Sequence, residues 1–233
     1  MSDSKKRVLI VGATGLVGRQ ISPLLADRDD IAVHALVRRG DNDMPSDYQV
    51  ADPSAWPEAI AEWKPHVFVS ALGITLKKAG GNKAAFRAVD YQLVLDCAAA
   101  AHAAGAGHAI IVTAVGASAR SPNLYQQTKG EVEESVTALG FDRLDIVRPG
   151  LLRGERVDDP RIVEGLMLAL APITDSLLPR GWSRYGSIDS ADVARAIAQL
   201  ALGNEDDAHD SDRHVHHNDS LLALAAQMTA KTG

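Results

Sequence analysis

From Arg7 to Gly18 the chain reads R-V-L-I-V-G-A-T-G-L-V-G. Val8, Leu9, Ile10 and Val11 form an unbroken apolar run, as expected of a strand buried on both faces of a parallel sheet. Gly12, Gly15 and Gly18 follow at three-residue spacing. Glycines placed so let the backbone turn tightly, approach a pyrophosphate without Cβ hindrance and bring the next helix down onto the sheet. Leu16, Val17, Ile21, Leu24 and Leu25 then recur at helical spacing, so a helix is expected directly out of the turn, its unpaired N–H groups facing phosphates. A glycine turn alone can be purely structural. The apolar strand before it and the amphipathic stretch after it make this one a dinucleotide-binding crossover.

Working outward, apolar runs and helical patterns alternate through the first two-thirds of the chain, which builds a parallel sheet covered by helices on both faces. Further strands are expected at 31–37, 49–51, 66–70, 108–113 and 144–148. Ser54 is expected to cap a helix that runs through Trp63 and ends before Pro65. Residues 73–82 read as a loop, and a long helix from Lys83 to Ala104 is closed by Gly105 and Gly107. Another helix spans 123–139 and stops at Gly140. The tail carries helical patterns at 162–170, 191–202 and 221–229 but no repeating strand–helix units of its own. The expected fold is therefore α/β: a Rossmann-type doubly wound parallel sheet, a single NAD(P)-binding domain over 1–233, with 151–233 forming most of a small C-terminal helical cap.

The 233 residues are 46% hydrophobic and 23% charged, with a formal net charge of −6. That balance suits a globular domain and carries no basic footprint for nucleic acid and no pattern for a membrane surface. Behind M-S-D-S-K-K-R the apolar run is too short for a signal sequence, so a soluble protein of the cytoplasm is expected. The single cysteine, Cys97, excludes an intrachain disulfide and reads as a small buried apolar residue.

The second strand ends in Arg38 and Arg39, where an acidic residue would accept hydrogen bonds from both adenosine ribose hydroxyls and repel a phosphate. A guanidinium there binds a 2′-phosphate through paired charge-assisted hydrogen bonds, which points to NADP(H). Solvation of a loop by the same arginines is the plainer alternative, since Asp41 and Asp43 follow. Asp52 is placed either to face the adenine amino group or to cap the helix after Pro53.

Tyr125 and Lys129 lie four residues apart at the start of the helix after the fifth strand, hence on one helical face. A free phenol has a pKa near 10, and a neighbouring ammonium lowers it. The tyrosine then gives a proton to a carbonyl oxygen as hydride arrives, or takes one from an alcohol in reverse. Thr113, twelve residues before Tyr125, is positioned at the strand end to donate to the same substrate oxygen.

With these residues in view, the sequence resembles the atypical short-chain dehydrogenases/reductases and is most similar to their Tat-interacting-protein oxidoreductase branch. The likeness rests on G-A-T-G-L-V-G at 12–18, L-V-R-R at 36–39, A-L-G-I-T at 71–75, L-Y-Q-Q-T-K-G-E-V-E at 124–133 and F-D-R-L-D-I-V-R-P-G-L-L at 141–152. It fades after about Arg156. The resemblance implies NADP binding by Gly12, Thr14, Gly15, Leu16, Val17, Gly18, Ala71, Leu72 and Gly73. It makes Tyr125 the acid/base, has Lys129 hold the nicotinamide ribose, and has Pro149, Gly150 and Leu151 border the nicotinamide. Thr113 departs from the family's serine: it keeps the hydroxyl but adds a methyl group and a stiffer χ1. Ser118 is the next serine along.

The reading is thus an NADPH-dependent oxidoreductase acting on a small carbonyl or alcohol. An NADPH-binding regulatory protein with little turnover and an NAD(P)-dependent epimerase or dehydratase are the alternatives. A homo-oligomer or a protein partner is compatible with the sequence, the Ala-rich helix from Lys83 to Ala104 being suited to pack against a copy of itself. His214, His216 and His217 read as solvated imidazoles on an edge strand and not as a metal site. Lys77 and Lys78 read as part of a solvated lid, and Trp182, Arg184 and Tyr185 are candidate pocket residues of the tail.

Overall fold

A computed structural model describes residues 5–40, 44–154, 186–203 and 212–231. The strand β1 (Lys6–Val11) runs through the middle of the molecule, and all four of its apolar side chains are fully buried. Val8 and Ile10 face one core and Leu9 and Val11 the other, because successive side chains on a strand point to opposite faces. That two-sided burial is the reason the run has no polar alternation.

Around β1 lie β2 (Ile31–Val37), β3 (Tyr48–Val50), β4 (Val67–Ser70), β5 (His108–Val112), β6 (Arg143–Val147) and, after the ribbon strands β7 (Leu151–Arg153) and β8 (Ser187–Asp189), β9 (Asp212–His216). The sheet order is β3-β2-β1-β4-β5-β6-β9, with every pairing parallel. The order reverses beside β1, and ligands of such sheets bind at the carboxyl ends of the strands flanking that reversal. The helices are α1 (Ile21–Ala26), α2 (Trp56–Trp63), α3 (Lys83–Arg87), α4 (Val94–Ala103), α5 (Leu124–Thr137), α6 (Ser190–Leu202) and α7 (Asn218–Lys231).

Several local expectations change. A 3₁₀ turn at Gly18–Gln20 precedes α1, so the helix opens a turn later than the glycine spacing suggests. Asp52, not Ser54, is the cap before α2: its Oδ1 accepts from the Ser54 amide at 2.9 Å and from the Ser54 hydroxyl at 2.7 Å. The long helix is continuous but its middle, Ala88–Leu93, is a π turn between α3 and α4.

The tail differs most. Its described part completes the sheet instead of capping it. β9 is the seventh strand, and Val193, Ala194, Ile197 and Ala201 of α6 pack in the same core as Val8 and Ile10. The expected helix at 162–170 and the candidates Trp182, Arg184 and Tyr185 lie outside the described residues. His216 is not solvated: its Nε2 donates to the buried Asp145 at 2.6 Å, whereas His214 is half-buried and sits 3.0 Å from Asp212. Cys97 is buried as expected, and burial, with Asp96 nearby, pushes its thiol up to about 12.

Candidate active site

Gly12 ends β1 at φ +85°, a backbone conformation L side chains rarely adopt. A Cβ there would lie 2.5 Å from the Ala71 carbonyl carbon and 2.6 Å from the Leu72 nitrogen. The glycine turn therefore rests directly on the chain leaving β4. The turn closes through the Gly15 amide, which donates to Gly12 O at 3.0 Å, and Gln20 braces it by donating to Leu16 O at 2.8 Å and to Ser190 Oγ at 3.0 Å. Thr14 is exposed, Gly15 and Leu16 are half-buried, and Val17 and Gly18 are buried.

On the other side of Ala71–Gly73 stands α5. Its first turn is set by Asn123, whose Oδ1 accepts from the amides of Tyr125 at 2.9 Å and Gln126 at 3.2 Å. Lys129 Nζ reaches the Leu72 carbonyl at 3.4 Å and pairs with Asp90 Oδ1 at 2.8 Å. A Cβ on Gly73 would meet both, at 3.6 Å from Lys129 Nζ and 3.5 Å from Asp90 Oδ1. The Lys129 ammonium lies 6.0 Å from the centre of the Tyr125 ring, and Phe86 stands beside the same ring at 6.1 Å. Burial pulls the lysine toward its neutral form, but Asp90, Tyr125 and Glu133 outweigh it and hold its pKa above the ordinary value. Gly12, Ala71, Leu72, Gly73, Lys129 and Tyr125 are thus brought into one continuous line of contacts.

Thr113 follows a different course. It is buried, and its hydroxyl donates to Glu133 Oε1 at 2.7 Å, with Val147 O at 3.4 Å. Glu133 is also gripped by Arg148, whose Nε donates to Oε1 at 2.8 Å and whose Nη2 donates to Oε2. The single proton of Thr113 is committed there, two helical turns beyond Tyr125. Donation to a substrate would require that bond to break. Ser118 is exposed, and its Oγ accepts from the Arg120 amide at 3.3 Å.

Arg38 and Arg39 follow β2 directly, at the strand ends where Gly12 lies, since Val11 pairs with Leu36. Both are exposed and neither forms an ion pair among the described residues. Asp52, at the end of β3, acts as a helix cap, which holds its carboxyl below the usual range through the Ser54 hydroxyl and amide. Pro149, Gly150 and Leu151 form the turn after β6: Pro149 O accepts from the Val115 amide at 3.0 Å, and the amides of Gly150 and Leu151 donate to Asn218 Oδ1 at 2.9 Å and Gly186 O at 3.2 Å. Lys77 and Lys78 are exposed on the loop beyond Gly73. Among the described residues no group of three or more His, Cys, Asp or Glu could hold a metal, and no helix is long and apolar enough to cross a membrane.

Three residues of this neighbourhood escape a sequence reading: Asp90, Glu133 and Asn218. Asp90 had a signal. It interrupts an apolar helical stripe of Phe86, Val94, Cys97 and Ala101, where a carboxylate is expected only if something charged meets it.

A tight glycine turn under Ala71, open cations after β2 and a buried lysine beside a tyrosine together describe a Rossmann-type nucleotide site that fits a dinucleotide. The NAD(P)H-binding family model matches residues 12–204. The chain belongs to that family. It is 34% identical over 200 residues to "Protein FMP52, mitochondrial" of Candida albicans, covering 82% of this chain and 86% of that one. The protein of the same name in Meyerozyma guilliermondii is 35% identical over 201 residues, covering 84% and 85%. These relatives are mitochondrial by name, which overturns the cytoplasmic expectation. Among solved structures, the Bordetella bronchiseptica enzyme WbmH with NAD+ matches with TM-score 0.67 at 16% identity, over 92% of this chain and 76% of that one. The oxidoreductase ylbE of Lactococcus lactis matches with TM-score 0.62 at 18% identity, over 94% and 97%. At such identities the likeness is one of fold.

Proposed function

We propose that this chain is an NADPH-dependent oxidoreductase that interconverts a small carbonyl compound and its alcohol, with Tyr125 as the proton donor and acceptor. The observation that carries the reading is the unbroken contact line from Gly12 through Ala71–Gly73 to Lys129 and Tyr125. It brings the glycine turn and the Tyr125–Lys129 pair to the two sides of one strand end. When bound, the nicotinamide supplies or accepts the hydride.

The chain's own residues supply the rest. Arg38 and Arg39 meet the adenosine 2′-phosphate, and Gly12 to Gly18 leave room for the pyrophosphate. Lys129 keeps positive charge beside the phenol, which favours phenolate and so eases proton transfer at neutral pH. In reduction the Tyr125 hydroxyl proton goes to the carbonyl oxygen as hydride reaches the carbon; in oxidation the phenolate takes it back.

A second reading rests on Thr113. With its hydroxyl held by Glu133, the pair lacks a second donor at the substrate oxygen, which suits a protein that binds NADPH and acts through partners with little turnover. Kinetics separate the two. NADPH oxidation with a panel of aldehydes, ketones and quinones should be measurable and should fall about 100-fold or more in Tyr125→Phe. No oxidation with any of them, or oxidation unchanged in the variant, removes the enzyme reading.

A further inference from the structure

Asp90 and Lys129 are the most deeply buried ion pair near the site, with side-chain exposures of 0% and 5%. An ammonium so enclosed loses its proton unless a fixed negative charge faces it. On α5 itself stand Tyr125 and Glu133. Glu133 is already engaged by Thr113 and Arg148, with Arg213 at 3.7 Å. From the loop after β4 come the Leu72 carbonyl and the Gly73 backbone, which carry no charge. On α3, Arg87 is paired with Glu131 at 2.6 Å and reaches Thr128 Oγ1 at 3.4 Å. Asp90, in the π turn Ala88–Leu93, is therefore the carboxylate left to balance the lysine. Its other oxygen accepts from the Ile74 amide at 2.8 Å, which fixes the carboxylate with Oδ1 toward the ammonium and ties the loop 71–74 to the same pair.

We infer that Asp90 is a positioning residue that holds Lys129 as a cation at Tyr125, so that the tyrosine's readiness to ionise depends on a carboxylate that touches neither substrate nor cofactor. The inference rests on Tyr125 being the proton-transfer group. Losing Asp90 should leave Lys129 buried and neutral, and Tyr125 without the positive charge of that ammonium. With the ammonium 6.0 Å from the centre of the Tyr125 ring, loss of its charge makes the phenol a weaker acid.

The test is a titration of Tyr125 in the full chain without cofactor, by NMR of tyrosines labelled with carbon-13 at Cζ. The chain has four tyrosines, and Tyr125→Phe assigns the signal. In Asp90→Asn the Tyr125 midpoint should rise by about one pH unit, and Asp90→Glu should return most of that shift. A midpoint unchanged or lowered in Asp90→Asn overturns the inference, the lowered case meaning that Asp90 only damps the field of Lys129. If Asp90→Asn does not fold, the neutral pair Asp90→Asn/Lys129→Met, which leaves no lone buried charge, is compared with Lys129→Met. Equal Tyr125 midpoints support action through the lysine, and a difference of about one unit overturns it. The titration needs no turnover, so an enzyme reading that fails with Tyr125→Phe kinetics leaves this result readable on its own.

Discussion

Gly12 sits where any side chain would press into the Ala71 carbonyl, and its φ of +85° adds backbone strain for every other residue. Gly12→Ala should destabilise the fold by about 2 kcal/mol or more in urea unfolding and weaken NADPH binding; a variant as stable as its parent would mean that the β4 chain can move away. At this scale the sequence is readable wherever a residue type has a single physical excuse. Glycines at fixed spacing and a tyrosine with a lysine one turn on are of that kind. Asp90 and Glu133 are less so, because a carboxylate on a helix is ordinarily a solvated one, and only its place within an apolar stripe gives it away. Thr113 shows the opposite failure. Its position at the strand end was legible, but its partner was not, because Glu133 meets it only after α5 folds back across the sheet.

Helices and strands were legible to within a residue or two where apolar periodicity was strong, as in β2 and β5, and less so at their ends. The start of α1 moved because the chain leaves the glycine turn as a 3₁₀ turn at Gly18–Gln20, packed so closely that a Cβ on Gly18 would clash with Gly12 O. The π turn in the long helix leaves no mark in composition, since residues 88–93 are ordinary helix formers for the most part. Asn123, where the helix was expected to begin, is the cap of α5. Asn123→Ala should cost about 1 kcal/mol of stability, read by urea unfolding, with some loss of order at Tyr125 in the first turn. No change in stability would show that the loop before the helix holds the turn unaided.

Across the whole molecule, the tail was the least legible part: the edge strand read at His214–His217 is β9, but its pairing with β6, far earlier in the chain, leaves no mark in the short D-R-H-V-H run. What seats it is Asp145, fully buried, which accepts from His108 Nε2 at 2.7 Å, His216 Nε2 at 2.6 Å and Arg143 Nε at 2.7 Å. Burial would raise this carboxyl, but its hydrogen bonds to the two histidines and the nearby charges hold it far below the usual carboxylate range. Burial likewise lowers His108, more than Asp145 raises it. Below a pH of about 6.5 the unfolded chain takes up a proton at His108 more readily than the folded one, so stability is fully present above that pH and declines on acidification, by at most about 1.4 kcal/mol per pH unit for this group. The melting temperature should fall between pH 7 and 5, and less steeply in His108→Gln; equal slopes in the two proteins would contradict the assignment. Asp145 adds its own loss only below a pH of about 4, where the unfolded carboxyl begins to protonate. The proposed function requires a phosphorylated dinucleotide lying across β1 with its 2′-phosphate at Arg38. Its most direct test is the dissociation constant of NADPH and of NADH, each measured by fluorescence with the unaltered chain and with Arg38→Ala. NADPH should bind at least about tenfold tighter than NADH, and Arg38→Ala should erase most of that difference while leaving NADH nearly unchanged. Equal affinities for the two cofactors in the unaltered chain, or a loss shared equally by both in the variant, would contradict it.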